Sequence, residues 1–162
     1  MGKQEEKDLF RVFDNIIKSR ERCFDVKELR IGSHIMFNGL RNRVVGIEIE
    51  DDENAPILIK TLERIENKTI DMALEPNEID PIPITDELLK ELEFERLDDL
   101  GSVCYMKDIE NYNVAVIYDR GHKCFMAAVG QGSHGKFIAA CKHLHQLENV
   151  VYMATRKELV KD

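Results

Sequence analysis

The stretch VGQGSHGKF, residues 129–137, carries two phosphate-loop patterns at once. Gly130, Gly132 and Gly135 spell G-x-G-x-x-G, and Gly130 through Lys136 spell G-x-x-x-x-G-K. Each pattern works only where a strand feeds a helix and the sheet aims the loop at a phosphate. The surrounding residues tell against both. A dinucleotide fold needs an acidic residue about 20 positions on, with further βα units, yet only 27 residues follow Gly135. A P-loop needs Ser or Thr after the lysine to hold magnesium, and Phe137 stands there. The loop therefore reads as a strand-to-helix connector whose glycines make the turn. Its alternative role is an anion site at the helix N-terminus, built from backbone N–H groups at Gly130, Gly132 and Gly135 with Lys136.

Downstream, from Lys136 to about Ala154, a helix is expected. Phe137, Ala140, Leu144, Leu147, Val151 and Ala154 share one face of a helical wheel, with Cys141 at its edge. Upstream, VCYMKD, YNVAVIYD and KCFMAAV read as three hairpin-connected strands, with turns at residues 111–113 and 120–122. Before them lies IDPIPITDELLKELEFERL. Pro81 and Pro83 hold the backbone extended. Thr85 then offers a hydroxyl N-cap, Asp86 and Glu87 place negative charge in the first turn, and Leu88, Leu89 and Leu92 form a buried face.

Earlier still, LRIGSHIMFNG, RVVGIEIE, PILIKTL and KTIDMAL are short and rich in β-branched residues. Val45, Ile47 and Ile49 alternate with Gly46, Glu48 and Glu50, and Asn38-Gly39 looks like a hairpin turn. Gly32 and Gly46 suggest bulges that curl a small sheet into a barrel-like unit. Residues 4–22 gather Leu9, Phe10, Val12, Phe13, Ile16 and Ile17 on one helical stripe.

The 162 residues are 43% hydrophobic and 33% charged, a balance that suits a globular chain with a charged surface. No apolar run nears ~18 residues, and MGKQEEKDLF is charged where a secretory signal would be apolar, so a cytoplasmic protein is expected. Cys23, Cys104, Cys124 and Cys141 lie far apart with no C-x-x-C pair, which reads as reduced thiols. Net charge is +3 over residues 1–46, −13 over 47–100 and +2 over 101–162. The acidic middle repels phosphate backbones and reads as a solvated surface.

Candidate chemistry is sparse. His122 and Cys124 share a strand side, and Cys141 and His145 are four apart on the expected helix. Their ligand types suit zinc, but H-x-C is not a knuckle spacing, and no metal or other cofactor is expected. Ser133-His134 is no triad, and no nucleophile elbow occurs, so an enzyme is not expected.

Three stretches, ELRIGSHIMFNG, PIPITDELLKELEFER and HLHQLENVVYMATRKEL, resemble in order and spacing a group of small uncharacterised proteins of Bacteroidetes genomes, prophages and mobile elements. The likeness runs from about Leu29 to Leu159. It implies a bacterial or phage setting and directs attention to the H-Q-L-x-N helix, where Lys142, His145, Gln146 and Asn149 form a candidate binding face. The same residues also read as local hydrogen bonds that fix the helix on its sheet.

The expectation is an α+β chain: an N-terminal helical segment (1–28), a small antiparallel barrel-like β unit (29–80), and an αβββα unit (81–162) made of a helix, a three-stranded antiparallel sheet and a C-terminal helix. The expected function is a non-catalytic accessory factor with a protein partner. The alternatives are a nucleic-acid-associated small barrel using Arg41, Arg43, Lys136 and Lys142, and a small-anion or nucleotide binder at the Gly130–Lys136 loop.

Overall fold

A computed structural model describes residues 28–49, 57–65, 68–98, 102–132 and 134–160. The expected N-terminal helix at residues 4–22 lies outside them. Among the described residues strand dominates, in two antiparallel sheets, and only one helix exceeds two turns. The α+β layout of helix, three strands and closing helix is therefore corrected to two β meanders with one long helix against them.

The first sheet runs in the order β1 (His34–Phe37), β2 (Leu40–Glu48), β3 (Leu58–Ile65), β4 (Lys68–Leu74). Asn38 and Gly39 make the first hairpin turn with φ of 48° and 75°, the left-handed pair that a two-residue turn between twisted strands requires. The alternation in β2 is not the one the sequence suggests. A bulge between Val44 and Gly46 lets Val44 pair with Thr61 and Ile47 with Ile59. One residue is skipped, so Val44 and Ile47 both meet the core while Val45 and Ile49 face solvent. Leu29, Ile35, Val44, Ile59, Leu74 and Ile79 fill this core.

The chain leaves through a 3-10 turn at Pro76–Glu78 and an extended Pro81–Ile84 stretch. Pro83 bridges His143. The Ile84 N–H donates to the Lys142 carbonyl at 3.0 Å, and the Leu144 N–H donates to the Ile82 carbonyl at 2.8 Å. Helix α1 (Asp86–Glu91) follows. The Leu88 N–H donates to the Thr85 hydroxyl at 3.1 Å, the cap the sequence calls for.

The second sheet has five strands in sequence order: β5 (Glu95–Leu97), β6 (Cys104–Ile109), β7 (Tyr112–Asp119), β8 (Cys124–Gln131) and β9 (His134–Cys141). Here the expected helix from Lys136 is overturned. Residues 134–141 pair antiparallel with β8, Gly130 opposite Lys136 and Phe125 opposite Cys141. Around Ile138–Cys141 burial alternates, Ala139 and Cys141 inward and Ile138 and Ala140 outward, a period of two. The run KFIAAC is apolar at both periods, so its pattern alone could not decide. Helix α2 (Leu144–Thr155) begins only after it and packs on β8, β9 and β1. Tyr105, Val114, Val116, Ala127 and Val129 on the sheet's inner face meet Leu144, Leu147 and Val151 of α2 and the leucines of α1.

Candidate functional site

Helix α2 is buried on two sides for different reasons. Leu144, Leu147 and Val151 recur at helical spacing toward the second core, while His145, Glu148, Asn149 and Tyr152 recur on the adjacent stripe. That second stripe grips residues 28–34. Gln146 Nε2 donates to Glu28 Oε2 at 3.0 Å, His145 Nε2 lies 3.2 Å from the same oxygen, and Asn149 Nδ2 donates to the Glu28 carbonyl at 2.6 Å. Glu148 accepts the His34 N–H at 2.9 Å and contacts His34 Nδ1 at 2.5 Å. Arg30 binds both oxygens of Glu158, at 2.9 and 2.7 Å, and its guanidinium sits 4.2 Å over the Tyr152 ring.

The structure thus gathers His145, Gln146 and Asn149 on one partner, Glu28, and so turns their polarity toward the chain itself. Lys142 stays exposed, and its N–H donates to Gln146 Oε1 at 2.8 Å as part of the helix start. Burial holds the His145 imidazole below its ordinary pKa, against the opposing pull of Glu28. The Arg30 hydrogen bonds hold the Glu158 carboxyl below its ordinary range.

The glycine loop is a hairpin turn. Gly132 takes φ 58° between β8 and β9, and Gln131 pairs with His134. The strand after it replaces the helix N-terminus on which an anion site at Gly130, Gly132, Gly135 and Lys136 was to be built. Of the basic residues considered for nucleic acid, Arg41 is engaged with Glu91 at 2.6 Å.

His122, Cys124, Cys141 and His145 do not converge. His122 occupies an exposed turn, its Nδ1 2.7 Å from Asp119 Oδ2. That contact and two backbone N–H groups hold the Asp119 carboxyl below its usual range. Burial pushes the Cys141 thiol up to about 12, with Cys124 and Glu28 adding to the effect. Among the described residues no three His, Cys, Asp or Glu side chains gather as a metal-ligand set. A groove of 610 Å³ between α1, β6 and residues 157–160 is lined by mutually paired charges: Arg41 with Glu91, Lys107 with Glu93 and Lys157 with Glu110. Among the described residues no helix is long and apolar enough to cross a membrane.

The outer face of the second sheet is different. Its registers align Leu97, Cys104, Ile117, Met126 and Ala140 in one row across all five strands. The next row holds Glu95, Met106, Ala115, Ala128 and Ile138. Nine of these ten positions are apolar, and none belongs to either core. Leu97 is 42%, Ile117 38% and Ile138 59% exposed. At ~4.8 Å between strands and ~6.8 Å between rows, with margins, the patch covers roughly 480 Å². That falls in the range of about 300–600 Å² of the largest apolar patch on a folded monomer, a patch that is often functional.

The sequence carried this signal unread. YNVAVIYD and KCFMAAV are apolar at both parities, the mark of strands covered on two sides. No family model, curated protein or solved structure matches the chain.

Proposed function

We propose that the protein is a non-catalytic, protein-binding accessory factor of a bacterial or mobile-element system, and that it binds through the outer face of the second sheet. The observation that carries this reading is the pair of apolar rows, one across all five strands from Leu97 to Ala140 and one across four from Met106 to Ile138. The bacterial or mobile-element setting comes from the resemblance of three stretches of the chain. The polar residues of α2 are spent on Glu28 and hold the first unit in place, so they support assembly of the molecule.

Burying this face would remove roughly 400–500 Å² of apolar surface from water, about 10 kcal/mol before the costs of association. The test is a comparison of proteins captured from a bacterial lysate by the wild type and by Ile117→Glu, with melting temperature as the control for folding. A set of captured proteins lost in the variant supports the reading. Identical sets from two proteins of identical oligomeric state overturn it.

A further inference from the structure

We infer that the chain covering this face is a second copy of the same protein, packed sheet to sheet about a two-fold axis that runs parallel to the strands beside β7. The inference rests on the protein-binding reading of the face and names its partner.

A two-fold axis parallel to the strands keeps each row at its own height and reverses its order, so β5 of one copy lies over β9 of the other. The first row then meets itself backwards. Leu97 opposes Ala140, Cys104 opposes Met126, and Ile117 opposes Ile117. In the second row Met106 opposes Ala128, Ala115 opposes Ala115, and Glu95 opposes Ile138. Away from the axis three of the four pairs set a larger side chain against a smaller one, the exception being Glu95 with Ile138 at the edge, and at the axis a bulky pair in one row sits beside a small pair in the next. Interdigitated sheets about 10 Å apart need this alternation. An isologous contact must be self-complementary in this sense.

Charge limits the strength of the contact. The chain carries a net charge of −8, which opposes self-association wherever acidic residues meet. The reversal sets Glu95, at the β5 edge, over the partner copy's Ile138 and keeps it from its own symmetry mate. Asp119, two positions past Ile117 on β7, lies beside the axis and faces its own mate, each carboxylate in contact with its own His122. Two patches of roughly 480 Å² bury about 960 Å² in total, below the ~1,200 Å² at which stable specific interfaces begin and in the range of weak, transient ones. The dimer is therefore concentration-dependent.

Sedimentation velocity on the full chain across a hundredfold range of concentration tests this. The expected result is a mass that doubles with concentration, and an Ile117→Glu variant that stays monomeric with an unchanged melting temperature. Mixing Ile117→Glu with Ile117→Lys should restore a dimer containing one of each, because the axis brings position 117 against itself. Should Ile117→Glu fail to fold, Ala140→Glu at the edge serves in its place, paired with Leu97→Lys. A dimer that both variants leave intact overturns the inference, since another surface then holds it. A wild type that is monomeric at every concentration also overturns it. In that case the lysate comparison still decides the broader reading on its own.

Discussion

His34 and Glu148, 114 residues apart, join the first sheet to helix α2 through a double contact that is sealed from water. The His34 N–H donates to Oε2 at 2.9 Å and the ring Nδ1 meets Oε1 at 2.5 Å, with both side chains almost fully buried. Truncating Glu148 to Ala leaves a backbone donor and a ring nitrogen facing each other's empty partner site. Such a loss costs about 3 kcal/mol, whereas Glu148→Gln, which keeps an acceptor, costs about 1 kcal/mol. Chemical denaturation of the two variants should rank them in that order.

Acid should weaken the protein in two steps. His145 has a folded pKa below its ordinary 6.5, because burial disfavours the imidazolium. The unfolded chain then takes up its proton first, so stability falls as pH drops below about 6.5 and levels off once the folded form is protonated. Glu158 is held below its ordinary 4.5 by Arg30, so its contribution is present above that value and is lost as pH falls through the lowered one. Melting temperature against pH should show both declines. His145→Gln should flatten the first and leave the second.

The Cys141 thiol, buried and pushed up to about 12, should resist alkylation. Cys104, partly buried on the outer face, is also raised by desolvation but keeps some exposure to solvent. Iodoacetamide treatment of the native protein at pH 8, followed by peptide mapping, should therefore label Cys104 before Cys141. Equal labelling would mean that β9 opens readily.

Removing the Thr85 hydroxyl should cost α1 its N-cap. Thr85→Ala is expected to lower stability by about 1 kcal/mol, with Thr85→Ser near neutral. Thermal melting of the pair checks it.

Replacing Gln146 and Asn149 together by Ala should release Glu28 from α2 and cost about 2 kcal/mol, since two direct hydrogen bonds to Glu28 go at once. Hydrogen exchange should then rise at residues 28–36 while the second sheet keeps its protection.

Local chemistry was legible in the sequence, and choices between periods were not. Thr85, with acidic residues behind it, fixes the start of α1, and Asn38-Gly39 demands a hairpin, because each acts through its own backbone. The bulge at Val44 escapes notice because a skipped residue leaves no mark in composition, yet it exchanges which of Val44 and Val45 is buried. Residues 136–141 escape for another reason. Apolar side chains at every position satisfy a helix and a two-sided strand equally, and only pairing with β8 decides. His145, Gln146 and Asn149 were visible as a polar group on a helix. Glu28, the residue they hold, is more than a hundred positions away, and no spacing rule connects them.

The hold that α2 exerts on residues 28–34 also orders events during synthesis. A chain growing from its N-terminus completes the first sheet long before Glu148 and Glu158 exist to grip His34 and Arg30. Until then His34 and Arg30 keep their polar groups in water, and the first sheet has no anchor. Contacts spanning 114 to 128 residues place the closing of the molecule at the end of translation, with the last helix acting as the latch.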